Sequence, residues 1–320
     1  MLNKKLIYIV LGIIFVAGVT RVYFRATDDF RLSNITHPMP FNPEWEIPSL
    51  DPKEKQSIET ILQQKFSYIG KGAQAYAFGS EDGKYVLKFF KFKHLRPNSF
   101  STWLPPIPPF KAYKENLAIR KNRKLYGVFE GYRLAYALHK EGSGILFIQL
   151  NASPVPVDSA LTATLSDKIG FSRHVDLSTV PFILQEKART TRAVVNEALA
   201  KKDIQKASSY IDKIFDLYIE EYQKGIYDKD HGVMHNTGFV DERPIHLDSG
   251  KLTREEALTD PQFWQRDLEI IAWKFATWTR ETYPNLAKEL EKAMEGKLVQ
   301  IFKRPFAFAE STPPPRKRRH

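Results

Sequence analysis

Ile69-Gly70-Lys71-Gly72-Ala73-Gln74-Ala75, then Tyr76-Ala77-Phe78, the turn Ser80-Glu81-Asp82-Gly83, and Tyr85-Val86-Leu87-Lys88-Phe89-Phe90 form the stretch that decides the fold. Asp-Gly between two runs of aromatic and β-branched residues is a strong hairpin signal. Phe66-Ser67-Tyr68-Ile69, before the glycines, reads as a further strand. The pattern predicts an antiparallel meander in which Gly70 and Gly72 join the first two strands and Lys88 sits in the third. Glycines let backbone N–H groups lie directly against an anion, because no side chain intervenes. A lysine flanked by Val86, Leu87, Phe89 and Phe90 either directs its charge at such an anion or occupies the outward position of an alternating strand.

Toward the C-terminus the pattern changes. Residues 97–110 carry five prolines and read as a rigid, irregular insertion. Leu125, Val128, Phe129 and Tyr132 have helical spacing. Glu130 lies on a neighbouring face with Tyr126, Leu134 and Ala137, and Lys88 is a candidate partner for it; a solvated surface position is the alternative. Residues 144–150 and 181–184 read as buried strands. Gln185-Glu186-Lys187-Ala188 then turns polar, as a connector between two lobes would. Residues 203–224 predict a long amphipathic helix ending at Gly225. Residues 260–281 and 284–301 predict two more.

Between these helices lie Asp228-Lys229-Asp230, Asn236 and Leu247-Asp248-Ser249-Gly250. Phe239-Val240 and Ile245-His246-Leu247 read as two short strands, with Asp241-Glu242-Arg243-Pro244 as their turn. That hairpin brings Asn236 and Asp248 to one end, where their oxygens suit a hard cation. A calcium loop starting at Asp228 fails, because its sixth position is Val233 rather than Gly and its twelfth is Phe239 rather than Glu. His231, His235 and His246 could ligate zinc, but no helix-borne H-E-x-x-H pattern supports it.

At the other end, Lys4-Lys5 precede fourteen uninterrupted apolar residues, 6–19. That length suits a signal h-region. Residues 20–24 extend it toward the roughly 20 residues of a membrane span if Arg21 snorkels. No A-x-A cleavage site follows, so an uncleaved single-pass anchor is preferred. Basic residues flank both ends (Lys4 and Lys5 before, Arg21, Arg25 and Arg31 after), which leaves the side of the following domain open. Residues 26–57 are polar and proline-rich and read as a linker.

The net charge of +11 favours acidic partners: nucleotide phosphates, anionic lipid or nucleic acid. No specific nucleic-acid motif is present. The tail Pro313-Pro314-Pro315-Arg316-Lys317-Arg318-Arg319-His320 adds a basic run that could meet anionic lipid or another acidic partner. The absence of cysteine excludes disulfides and cysteine-ligated metals.

In order (glycine loop, strand lysine, Asp-Lys-Asp with Asn, then Leu-Asp-Ser-Gly), these motifs resemble the protein kinase-like superfamily, closer to compact, divergent bacterial members than to conventional Ser/Thr kinases. The resemblance covers about residues 62–300. It implies an α+β, two-lobed protein-kinase-like fold after the N-terminal membrane helix: a small antiparallel-sheet N-lobe at 58–185 and a mainly helical C-lobe at 186–305, before the tail at 306–320. It implies ATP and Mg²⁺ as cofactors and transfer of the γ-phosphoryl group to a hydroxyl. By position, Gly70, Gly72 and Lys88 become phosphate-binding, with Glu130 the lysine's helix partner. Gln185, Glu186 and Lys187 become the hinge, and Asn236 and Asp248 the metal ligands. The catalytic base is Asp230 or Asp228, since the interval from Asp230 to Asn236 is one residue longer than usual. Asp228 replaces the family's His, Ser249 replaces Phe, and no Ala-Pro-Glu follows Gly250. A peptide-binding segment is therefore not expected. The alternatives are a small-molecule kinase, a pseudokinase or a non-catalytic membrane-associated binding protein.

Overall fold

The computed structural model describes residues 4–95, 104–105, 107–152 and 161–311. The basic run at the C-terminus and most of the proline-rich insertion lie outside the described residues. The chain divides into two compact units, Met1–Arg123 with Leu146–Gln185, and Lys124–Ile145 with Glu186–His320.

The first unit opens with α1 (Lys4–Ala26), α2 (Leu32–Ile35) and α3 (Pro52–Leu62), followed by β1 (Lys65–Lys71), β2 (Ala75–Ser80) and β3 (Tyr85–Phe90). The first half of α4 (Phe110–Leu138) belongs to it. So do β4 (Ile145–Gln149), which follows the short α5 (Lys140–Ser143) of the second unit, β5 (Thr162–Ser166), β6 (Ser172–Asp176) and β7 (Phe182–Glu186), the first residue of β4 and the last of β7 apart. The seven strands form one sheet in the order β4-β7-β3-β2-β1-β5-β6. The meander is antiparallel, with Ala77 opposite Lys88 and Gly83 turning at φ +74°. The sheet as a whole is mixed, because β5 runs parallel to β1. This departs from a small, purely antiparallel sheet. The sequence 162–176 carries too few large apolar residues to announce two strands, yet Ala163, Leu165 and Val175 suffice to cover one face.

The stretch after α1 is more than bare chain. Asp28 and Asp29 adopt left-handed φ of 52° and 63°, which short polar side chains tolerate. The chain reverses there and buries Phe30 edge-on against Tyr76 and Phe78, at ring separations of 5.3 and 4.9 Å. Ile35 joins the same core. Tyr76 Oη donates to the Asp29 carbonyl at 2.9 Å. Asp28 receives Lys71 at 3.2 Å, and Lys168 and Tyr68 at 3.1 Å. The Lys168 ammonium, against a smaller opposing effect of burial, holds the Asp28 carboxyl below the ordinary aspartate value. Within α1, the segment Ile7–Ala26 has a mean hydropathy of 2.1 and no buried side chains, so it is long and apolar enough to cross a membrane.

The second unit contains the rest of α4, α5, α6 (Thr191–Ala200), α7 (Ile204–Gln223), α8 (Val233–Asn236), α9 (Pro261–Thr282) and α10 (Pro284–Phe302). Between them lie β8 (Arg189–Thr190), β9 (Ile226–Asp228), β10 (Thr237–Val240), β11 (Arg243–His246) and β12 (Leu252–Arg254). Its core is built from α6, α7, α9 and α10 around Phe215, Tyr218, Phe275 and Met294. Asp203 caps α7 by accepting from the Lys206 amide, and Gly225 leaves it at φ +65°. Arg243 and Pro244 belong to β11, so the hairpin turn shrinks to Asp241-Glu242.

Candidate functional site

In the first unit, the backbone between β1 and β2 folds back on itself. The register shifts between Tyr68 and Gly70, and the Gly72 amide donates to Ala75 O at 2.9 Å. A side chain at Gly70 or Gly72 would meet nothing within 4 Å, and neither residue has positive φ. The fold itself therefore gives no steric or conformational reason for glycine at these two positions. Lys88 is half-buried on β3. Gln185 is fully buried at the end of β7, and Lys187 is exposed.

In the second unit, the loop from Asp228 to Asn236 is fastened at several points. Asp228 is 1 % exposed. One of its oxygens accepts from Tyr218 Oη at 3.2 Å and the other from the Asp230 amide at 2.8 Å. Burial first, and the charge of Asp228 second, push Tyr218 well above the usual phenol value, so it remains a donor. His231 stands at φ +49° and places Nε2 2.7 Å from Asp267 Oδ1 on α9. Tyr222 donates to the other Asp267 oxygen, and Lys274 to the His231 carbonyl. Asp230 is exposed, and Asn236 Nδ2 lies 3.4 Å from its Oδ2.

The β10–β11 hairpin then returns the chain to the same point. Asn236 O accepts from the Leu247 amide at 2.6 Å and the Asp248 amide at 3.3 Å. Asp230, Asn236 and Asp248 are thus neighbours, although eighteen residues separate the first from the last. Asp248 Oδ1 accepts from Tyr132 Oη at 3.1 Å and from the Gly250 amide at 3.2 Å. Burial, then the Asp248 charge, hold Tyr132 far above the usual phenol value. Sequence reasoning places Tyr132 only on the apolar stripe of a helix, not in a site, and does not select Gly131. The signal was faint: a Gly-Tyr pair inside an amphipathic helix. A Cβ at Gly131 would lie 2.4 Å from Ser249 O, so only glycine lets α4 come this close to the Asp248 loop. Gly131→Ala is expected to cost about 1–3 kcal/mol by overpacking, which outweighs the roughly 0.5–1 kcal/mol that alanine gains in a helix interior. Urea unfolding of the variant checks this; stabilisation would show that the loop yields freely.

Glu130 does not stand alone. It is exposed and accepts from Arg133 Nε at 2.8 Å and Nη2 at 2.6 Å. Glu186 accepts from Arg243. Behind the hairpin lies a fully buried ionic group. Glu221 Oε1 is 2.8 Å from His246 Nδ1 and 3.3 Å from His139 Nε2, and His246 Nε2 is 3.8 Å from Asp228 Oδ2. Burial alone would lower the His246 pKa, but the charge and hydrogen bond of Glu221, with the charges of Asp228 and Asp248, together outweigh it and hold it at about 9. The same pairing overcomes burial at Glu221 and brings it down to about 2.

No cluster of three or more His, Cys, Asp or Glu suited to a metal occurs among the described residues. His231 and His246 answer to different carboxylates, Asp267 and Glu221, which leaves the zinc alternative without a shared centre. Asn236 and Asp248 offer two oxygen ligands. That fits Mg²⁺, which keeps waters and takes its remaining ligands from substrate phosphates, better than an ion needing a full protein cage.

No protein-family model matches the chain, and no curated protein does. Solved structures do. A complex of WbdD with a kinase inhibitor matches at 15 % identity, covering 76 % of this chain and 47 % of that one, with a TM-score of 0.34. A ternary complex of streptomycin, ATP and APH(2")-IIa matches at 10 % identity, covering 80 % and 90 %, with a TM-score of 0.26. ADP-bound aminoglycoside phosphotransferase APH(2'')-Ib matches at 10 % identity, covering 79 % and 90 %, with a TM-score of 0.23. The chain spans about half the length of the WbdD structures. At these identities and TM-scores the likenesses carry no argument about this chain.

Proposed function

We propose that this chain is a membrane-anchored, kinase-like protein that binds ATP with Mg²⁺ and transfers the γ-phosphoryl group to a hydroxyl acceptor. The observation that carries the reading is the convergence of Asp230, Asn236 and Asp248 through the Asn236 carbonyl. It supplies a carboxylate open to solvent beside two oxygen ligands. Asp230 rather than Asp228 is the group to receive the acceptor proton. Asp228 is buried, with both oxygens engaged, whereas Asp230 is exposed. In the transfer, the acceptor oxygen forms the new bond to phosphorus and its proton passes to Asp230. The bond between the γ-phosphorus and the bridging oxygen breaks, leaving ADP. Bound Mg²⁺ would neutralise charge on the phosphates, with Asn236 and Asp248 to hold it. Gly70 and Gly72, with open space where side chains would be, would let phosphates approach the loop backbone, and Lys88 would add a positive charge. The apolar α1 supports the single-pass anchor.

The test is ATP binding by the full chain in detergent, with and without Mg²⁺, read by thermal shift. A fragment starting near residue 55 would lose Phe30 and Ile35 from the sheet core, so a soluble version should begin no later than residue 27. Mg²⁺-dependent stabilisation is expected, and ATP at 100 times its Kd should add about 2.7 kcal/mol. Lys88→Met should abolish that gain while the ligand-free chain remains folded. Unchanged affinity in Lys88→Met would remove the phosphate role. Absence of any ATP effect on the native chain would leave a kinase-shaped binding protein.

A further inference from the structure

Asp167-Lys168-Ile169-Gly170-Phe171-Ser172 turns β5 into β6. The turn is heavily bonded. Asp167 Oδ1 accepts from the amides of Ile169 at 3.1 Å and Phe171 at 3.0 Å. The Gly170 amide donates to Asp167 O, and the Asp167 amide to Phe171 O, both at 2.9 Å. Gly170 stands at φ +90°, where only glycine is comfortable. A tip so fixed presents its side chains in one orientation. Those it presents are Ile169, 44 % exposed, and Phe171, 60 % exposed.

Scattered exposed apolar residues are ordinary, so the pair alone decides nothing. Its attachment does. Arg173 donates Nη1 to Asp167 at 2.5 Å and Nη2 to Tyr23 Oη at 3.0 Å, and Tyr23 lies in the last turn of α1. On the other side of the tip, Lys168 Nζ is 3.1 Å from Asp28, two residues past the end of α1. The tip is therefore tied twice to the place where the 20-residue apolar segment ends. The end of a spanning helix lies at headgroup depth, where aromatic rings and cations gather. Tyr23 and Phe24 are the rings here, and Arg21, Arg25, Arg31 and Lys168 the cations.

We propose that Ile169 and Phe171 are a second membrane contact, inserted among the headgroups of the bilayer that α1 crosses. This rests on the anchor reading above. Two attachment points, one spanning and one peripheral, would hold the sheet at a fixed attitude to the membrane surface.

The absence of cysteine makes the test clean, since one introduced thiol is the only label site. The full chain is reconstituted in vesicles of phosphatidylcholine and phosphatidylglycerol as F171C, I169C, V16C or E81C, each carrying an environment-sensitive fluorophore. Lipids spin-labelled near the headgroup or deep in the acyl chain serve as quenchers. Quenching at 171 and 169 by the shallow label, with blue-shifted emission, is expected. V16C should respond to the deep label, and E81C, in the exposed β2–β3 turn, to aqueous iodide alone. If V16C is deep but F171C and I169C behave like E81C, the anchor stands and the second contact falls. If V16C reports water, the anchor reading fails and takes this proposal with it.

Discussion

Glu221→Leu is expected to lower the stability of the second unit by about 3–5 kcal/mol, a large part of the roughly 5–15 kcal/mol that holds a typical domain together. The leucine has adequate volume, but it strands His246 in a site with no access to water. Glu221→Gln should cost less, because its amide oxygen can still accept from His246 Nδ1. The sign of the pH dependence follows from the pairing. His246 is raised from 6.5 to about 9, so its contribution is complete below about pH 6.5 and is lost as pH rises through about 9. Glu221 is lowered from 4.5 to about 2, so its contribution is complete above about pH 4.5 and is lost as pH falls through about 2. Denaturant midpoints of the native chain should show a plateau between these limits and decline on the alkaline side. Glu221→Gln should flatten that alkaline decline. A native slope retained in the variant would place its origin in another group.

Asp248→Asn should weaken nucleotide binding in the presence of Mg²⁺ while sparing binding in its absence. Changes one sphere out from a metal typically cost roughly 10–100-fold in affinity, and loss of a ligand's charge should cost at least as much. The substitution suits the purpose, because an asparagine oxygen can still accept from Tyr132 and from the Gly250 amide. The loop should therefore keep its place. Calorimetric titration with ATP, with and without Mg²⁺, reads both arms. Equal loss in both would point to a displaced loop rather than a missing ligand.

Some of this was legible in the chain and some was not. Local signals exposed the meander and the hairpin around Asp82-Gly83, because alternation and turn chemistry act over a few residues. The same holds for α7, capped by Asp203 and ended before Gly225. The partition of Asp228 from Asp230 was not legible. Both are acids in a polar loop, and only Tyr218, one helix earlier, marks the first as internal. His139, Glu221 and His246 meet across 82 and 25 residues of sequence, a distance that no periodicity reports. Phe30, Ile35 and Trp45 are scattered among prolines and polar residues without periodicity, so a stretch read as linker contributes three buried apolar side chains. Residues 162–176 bury only three apolar side chains, too few to signal strands, yet they supply both strands of the hairpin beside α1.

The two units are threaded through one another in the sequence, the second owning residues 124–145 as well as everything from 186 onward. On the ribosome this sets an order of events. Residues 124–145, which carry Gly131, Tyr132 and His139, emerge before β4 to β7 can finish the first sheet. They must then wait for Glu221, His246 and Asp248, synthesised some hundred residues later, before their polar groups find partners. During that interval Val128, which packs beside Gly250, lacks that neighbour. No single cut in the gene yields either unit free of a segment of the other, so truncated versions ending between residues 146 and 248 should depend on chaperones and precipitate when expressed alone.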